Sequence, residues 1–410
     1  MALGLFSPVL FLAHFVVCAE PQYITERKAP QTAAVAIACA PAQRYNPAQP
    51  NKTEAGKLSE GARMLAAILE ARQRMVVREV EDPPLAPGHV AIAPKAVGIC
   101  GTDLHVYLGT MEHRVAYPAI LGHEFAGVVV EAADDVEGFS PGDHVVVDPV
   151  VACGRCPRCA EGRANVCERL TVFGIDCHGG MCERTVVPAN LVYHLPRSVP
   201  LHHGVMAELY AVAVHSSRRT GVETGDTVVI LGAGKLGLSL LDVVRRSPAR
   251  MIVSVDVDDF RLGIAKALGA DITLNPRQCN VVEEVRKLTE GRGADKVVEA
   301  VGHPHEVPGQ GTPVWQAFEM IRPGGQVTVM GQGEQVEKVY WREFVLKEAT
   351  VVTSRLNLGD FPRAIRLLED GAVHPERIIT HRVPLADAPQ AFADLASGKP
   401  GMVKVVVEIG

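Results

Sequence analysis

Asp226 to Arg246 reads DTVVILGAGKLGLSLLDVVRR. A short apolar run, Val228 to Leu231, leads into Gly232-Ala233-Gly234-Lys235-Leu236-Gly237, and an apolar stretch of helical period follows. Four consecutive apolar residues bounded by a turn signal suit a buried strand. The G-x-G-x-x-G spacing is weak alone and is compatible with a turn needed only for packing. Between a strand and a helix it has a definite physical meaning. The first glycine permits the tight turn, the second lets the backbone approach a pyrophosphate, and the third lets the helix pack on the strand. The helix start then offers free N–H groups and a positive dipole end to the phosphates. The next apolar strand, MIVSVD, ends in Asp256. A carboxylate there accepts the ribose hydroxyls of NAD and repels the 2′-phosphate of NADP, so NAD is the expected cofactor. Gly232, Gly234, Gly237 and Asp256 are the cofactor-binding candidates, with Leu236 and Arg261 set beside them.

Downstream the same rhythm continues. DDFRLGIAKALGAD suits a helix closed by Gly269, and KVVEAVG, GQVTVMG and ATVVTS suit further strands, with helical patterns between most of them. Strands alternating with helices predict a doubly wound parallel sheet. Upstream the pattern differs. From Met64 the chain carries short β-rich runs punctuated by Pro and Gly, among them FAGVVVEA, DHVVVDPV and MCERTVVP, as antiparallel structure requires. After Ser354 helix and strand pieces return and end in KVVVEIG. The fold class expected is α/β, a β-rich domain joined to a Rossmann-type domain, without internal repeats.

The chain has 410 residues, 47% hydrophobic and 21% charged, enough for about two or three domains with large cores. A net charge of -6 without a basic run argues against nucleic acid as a partner. The N-terminal MALGLFSPVLFLAHFVVCAEPQ is apolar, but its first Lys or Arg is Arg27, and it is short and interrupted for a membrane span. A leader followed by a flexible linker, 1–62, and a cytoplasmic location are expected, with the secretory pathway as the alternative. The sequon Asn51-Lys52-Thr53 matters only in that alternative.

Four of the ten cysteines fall in CGRCPRCAEGRANVC, as Cys153, Cys156, Cys159 and Cys167 in C-x2-C-x2-C-x7-C spacing. Four thiolates from one short loop can close tetrahedrally on zinc and leave no open position, which defines a structural site. A redox pair needs only two of them. Cys177 and Cys182 follow and are expected to remain thiols. A second set is more dispersed. GHEFAG, Gly122 to Gly127, puts a His-Glu pair into an otherwise apolar run, where neighbours on a pleated strand point to opposite faces. Buried polar groups need partners. VGICGTDLHVY supplies Cys100, Thr102, Asp103 and His105, and VMAELYAVAVHS supplies Glu208. One thiolate, one imidazole and one carboxylate are the donor types that a catalytic zinc with an open position takes.

GICGTDLH, GHEFAG, the four-cysteine loop and GAGKLG occur in the order that marks the zinc-dependent medium-chain dehydrogenases. From about Met64 to its end the chain resembles that superfamily, most closely its sorbitol and threonine dehydrogenase branch. The resemblance implies a GroES-like catalytic domain in two segments, 63–212 and 353–410, flanking an NAD-binding Rossmann domain, 213–352. It implies catalytic zinc on Cys100, His123 and Glu124, with Glu208 at the position of a Glu-Pro pair whose Pro is here Leu209. It places Thr102 to accept the alcohol proton and pass it to the ribose hydroxyls or to His105. The activity implied is oxidation of a secondary alcohol, a polyol, diol or threonine-like amino alcohol, with zinc as Lewis acid and NAD as hydride acceptor, in a homodimer or homotetramer. The alternatives are a non-enzymatic NAD- and zinc-binding relative and a zinc-free quinone or alkene reductase. Retention of Cys100, His123 and Glu124 argues against both.

Overall fold

Val228, Val229 and Ile230 are fully buried, and their side chains enter two different cores. Val228 and Ile230 join one cluster, whereas Val229 and Leu231 join the other. That alternation explains the unbroken apolar run, because a strand covered on both faces has no solvent side to make polar. The computed structural model describes residues 63–302, 307–333 and 341–410. The expected leader, linker and sequon lie outside the described residues.

Thr227–Leu231 is a central strand of a six-stranded parallel sheet. Its order is Ile272–Leu274, Met251–Val255, Thr227–Leu231, Ala294–Glu299, Ile321–Val329, Thr350–Thr353. The order reverses direction at Thr227–Leu231, the switch point outside which doubly wound sheets bind ligands. The helix Asp259–Leu268 begins at Asp258, whose side chain accepts from Phe260 N, and ends at Gly269 with φ 100°.

The second sheet is mainly antiparallel, in the order Val192–His194, His144–Val147, Glu124–Ala132, His89–Gly98, Lys404–Glu408, Ile379–Pro384. Thr185–Pro188 also pairs with His89–Gly98. The last strand of the chain, Lys404–Glu408, thus lies beside a strand from its beginning. One apolar cluster contains Ala96, Ala126, Val146 and Val406 of this sheet together with Val228 and Ile230 of the parallel sheet. The two sheets therefore share a core. No helix among the described residues is long and apolar enough to cross a membrane.

Candidate functional site

The glycine-rich turn has the geometry its spacing predicts. Gly232 has φ 99° and donates its N–H to Val255 O at 2.7 Å. A Cβ on Gly237 would lie 1.9 Å from Gly232 O, so helix and turn are in van der Waals contact there. A Cβ on Gly234, which caps the helix Lys235–Val244, would meet nothing within 4 Å. The open backbone thus sits at the second glycine of the motif, the position expected from sequence to approach a pyrophosphate. Asp256 follows the second strand, 8% exposed, with Oδ2 accepting from Ala233 N at 2.7 Å and Oδ1 from Asp258 N at 3.0 Å. Arg261 Nη1 stands 3.9 Å from that Oδ2. Lys235, inside the motif, was not singled out from sequence. Its Nζ donates to Ile99 O at 3.2 Å and so joins the turn to the residue before Cys100.

The cysteine loop meets the test for zinc on its own geometry. All four sulfurs lie within 4.8 Å of one another. Cys156 Sγ is 3.5 Å from Cys159 Sγ and 3.8 Å from Cys167 Sγ. Tetrahedral zinc with bonds of about 2.3 Å sets sulfur pairs about 3.8 Å apart, far longer than a disulfide. Backbone N–H groups point at the sulfurs: Cys153 N and Arg169 N each stand 3.3 Å from Cys167 Sγ. The N–H of Arg155 and the Arg169 guanidinium hold the Cys153 thiol down at about 5. Cys177 and Cys182 form no disulfide, and buried Cys182 donates to Arg184 O at 3.1 Å.

The dispersed donors meet as well. Donor atoms of Cys100, His123 and Glu124 lie within 4.8 Å of one another. The alternation expected of a strand does not apply to the His-Glu pair, because the strand starts only at Glu124. Gly122 has φ 103° and bends the chain just before it, so both side chains turn to the same point. His123 is 5% exposed and Glu124 fully buried, and Glu124 Oε1 has no hydrogen-bond partner. An orphaned buried carboxylate oxygen beside a thiol and an imidazole is the donor set a divalent cation completes.

Cys100 caps the helix Gly101–Leu108, and Asp103 Oδ2 accepts from Cys100 N at 2.8 Å. The other Asp103 oxygen lies 3.3 Å from His123 Nδ1, close but poorly aligned for a hydrogen bond. Fully buried Asp103 thus caps the helix and orients the imidazole. Its position three residues after Cys100 was the available sequence signal, since a carboxylate three residues after a helix cap reaches back to the cap. Burial pushes the Cys100 thiol up, and His123 and Lys235 outweigh it, leaving it at about 6. Burial disfavours the His123 cation, yet Asp103 and Cys100 carry its pKa well above the ordinary range.

Thr102 Oγ1 is 3.9 Å from Cys100 Sγ, and His105 Nδ1 is 3.0 Å from Thr110 Oγ1. Glu208 lies in the first turn of the helix Met206–Thr220, 6% exposed, where burial raises its carboxyl to about 8. It is not among the three residues whose donor atoms converge within 4.8 Å.

Asp148 shows what the surroundings cost. Burial is the main cause raising its carboxyl to about 6, against donors from Val150 N and Asn357 Nδ2, each at 3.1 Å. A folded-state pKa above the unfolded one gives stability that is present at low pH and lost as pH rises from about 4 to about 6. Asp148→Asn should therefore be more stable than wild type at pH 7.5, by about 1–3 kcal/mol from a shift of about two units. Melting curves at pH 7.5 and pH 4 check this: the gain must disappear at pH 4.

Comparison with known proteins agrees with the fold. Residues 86–197 match the alcohol dehydrogenase GroES-like domain and residues 236–370 the zinc-binding dehydrogenase domain. L-threonine 3-dehydrogenase of Pyrococcus abyssi is 35% identical over 79% of this chain and 93% of its own length. Among solved structures, an Escherichia coli alcohol dehydrogenase, RspB, complexed with NADH superposes with TM-score 0.78 at 30% identity, covering 85% of this chain and all of that one. A zinc-binding dehydrogenase from Sinorhizobium meliloti bound to NADP gives TM-score 0.79 at 32% identity, covering 85% of this chain and 99% of its own. The chain belongs to the zinc-binding alcohol dehydrogenases, with a GroES-like domain and a Rossmann domain. It is an alcohol oxidoreductase of the nicotinamide-dependent, zinc-dependent type.

Proposed function

We propose that the chain oxidises a secondary alcohol with NAD, at a zinc site made by Cys100, His123 and Glu124 beside the glycine-rich turn. The observation that carries this reading is the convergence of those three donors, largely buried, on one point. The catalytic domain is read as 63–212 with 353–410, and the NAD domain as 213–352. Cys153, Cys156, Cys159 and Cys167 hold the structural zinc.

When bound, the catalytic zinc supplies a Lewis acid that lowers the pKa of an alcohol. The chain's own residues do the rest. Asp103 holds the His123 ring through its Nδ1 side. Thr102, at the first turn beside Cys100, takes the alcohol proton, and His105, fixed by Thr110, carries it outward. Glu208 approaches from the helix Met206–Thr220 as a further oxygen. Gly232, Gly234 and Gly237 admit the diphosphate, Leu236 and Arg261 line the cofactor, and Asp256 accepts the ribose hydroxyls. The substrate class is a polyol, a diol or a threonine-like amino alcohol. Turnover of such a panel with NAD, followed at the reduced nicotinamide band, tests the reading together with two zinc ions per chain. No turnover on any of them, with one zinc per chain, would refute it.

Asp256 gives a sharper test. Asp256→Ala should lower kcat/KM for NAD by about 10–100-fold, the worth of hydrogen bonds to a charged group, and should affect NADP less. A wild-type enzyme that prefers NADP contradicts the role given to Asp256.

We also read the protein as a cytoplasmic homo-oligomer. All eight cysteines of the described residues are outside disulfides, consistent with a reducing compartment. Trp341, Val345 and Leu346 are 65–77% exposed on one short helix, and Val351 lies exposed on the edge strand Thr350–Thr353, an apolar face suited to a second copy.

A further inference from the structure

Lys404 and Glu124 are both fully buried, and Lys404 Nζ contacts Glu124 Oε2. The two residues are 280 apart in sequence. Three adjacent strands bring them together. Gly98 pairs with Glu124 on one side and with Val406 on the other, and Lys404 precedes Val406 by two residues on the same face of its strand. The lysine and the glutamate meet over the glycine between them. A Cβ on Gly98 would lie 2.5 Å from Glu124 Oε2 and 2.6 Å from Lys404 Nζ. Any other residue at position 98 would occupy the space the pair uses.

A buried ion pair is weak evidence for stability, because desolvating two charges costs about as much as their attraction returns. An apolar pair would fill the same space, so this one calls for another account. Glu124 has two oxygens with different fates: Oε2 is taken by Lys404, and Oε1 is buried without a partner, in a carboxylate that brings an oxygen within 4.8 Å of donor atoms of Cys100 and His123. We propose that Lys404, from the C-terminal strand, is a positioning residue that ties down one oxygen of Glu124 and so presents the other, alone, to the catalytic metal. Glu124 is then a single-oxygen ligand whose carboxylate cannot swing away or clamp the ion with both oxygens. The second chain segment takes part in the metal site through this contact. The inference rests on the reading of Cys100, His123 and Glu124 as metal ligands.

The test uses the full chain loaded with zinc or with cobalt(II), whose ligand-field bands report coordination. Wild type should bind two metal ions. In Lys404→Met, the catalytic-site metal should be released to a chelator about tenfold or more faster, as for other partners of metal ligands. Its cobalt bands should shift, the four-cysteine site should be unchanged, and Lys404→Arg should restore the wild-type spectrum. Lys404→Met with wild-type spectrum and release rate overturns the proposal while leaving the zinc reading intact. Wild type that binds only one metal, with Cys100→Ser indifferent, sinks both. Should Lys404→Met fail to fold, Glu124→Gln with Lys404→Met removes both buried charges. It should release metal no faster than Glu124→Gln alone, and a further tenfold loss would mean that Lys404 acts elsewhere.

Discussion

His123→Ala should abolish alcohol oxidation, lower the zinc content from two to about one per chain, and leave NAD binding nearly intact. His123 sits at the bend before the strand Glu124–Ala132, on the antiparallel sheet, whereas the dinucleotide turn belongs to the parallel sheet. The ligand loss therefore reaches the metal and not the cofactor. Two remaining donors hold zinc poorly, and without a Lewis acid an alcohol keeps a pKa far above neutral. A core histidine would behave differently, since its removal would destabilise the fold but leave turnover per folded molecule unchanged. The deciding quantity is turnover normalised to the fraction competent to bind NAD. A normalised rate within about threefold of wild type, roughly 0.7 kcal/mol in barrier, would return His123 to the core and take the catalytic zinc with it.

What could be read in the sequence and what could not follow from one physical distinction. The parallel sheet was legible because its signals are local: the Val228 to Leu231 run, the glycine turn and the Gly269 cap each act within a few residues. The four-cysteine loop was legible for the same reason, all its donors lying within one short segment. Asp103 was partly legible as a capping residue, but its reach to His123 depends on two segments meeting. The direction of the His-Glu pair was misread from strand periodicity, because the bend at Gly122 starts the strand one residue later than that alternation assumes. Lys404 was not legible at all. A lysine in KVVVEIG looks like a solvated strand end, and only the pairing of the last strand with His89–Gly98 buries it against Glu124. Non-local pairing is the information that periodicity lacks.

Cys156→Ser should remove one zinc and unfold the loop around it, while Cys100, His123 and Glu124 keep their metal. The loop has little else to hold it. Between Val150–Val151 and Thr171–Val172 its regular structure is one four-residue helix, Pro157–Ala160, and one turn of 3-10 helix, Ala164–Val166. Its buried residues include Cys156 and Cys167 themselves, at 4% and 6% exposure, so the metal cluster takes the place of a hydrophobic core. Structural zinc contributes its binding energy to folding, about 10–16 kcal/mol in small zinc peptides, far more than a loop of this size can supply by packing. Serine keeps the volume but not the soft thiolate, leaving three sulfurs and an open position. The loss should remain mostly local. The loop is tied to the rest of the chain by Asn165 Nδ2, which donates to Arg355 O at 3.1 Å, and by Leu170, which packs against the core; Arg355 lies in the segment that leads back from the parallel sheet. Limited proteolysis should therefore cut first between residues 153 and 170, and the melting temperature should fall by several degrees, since each kcal/mol shifts a chain of this size by about 1–2 °C. Turnover at low temperature should survive in part. A variant that keeps two zinc ions, resists cleavage in this loop and melts as wild type would overturn the assignment of a structural zinc to these four cysteines.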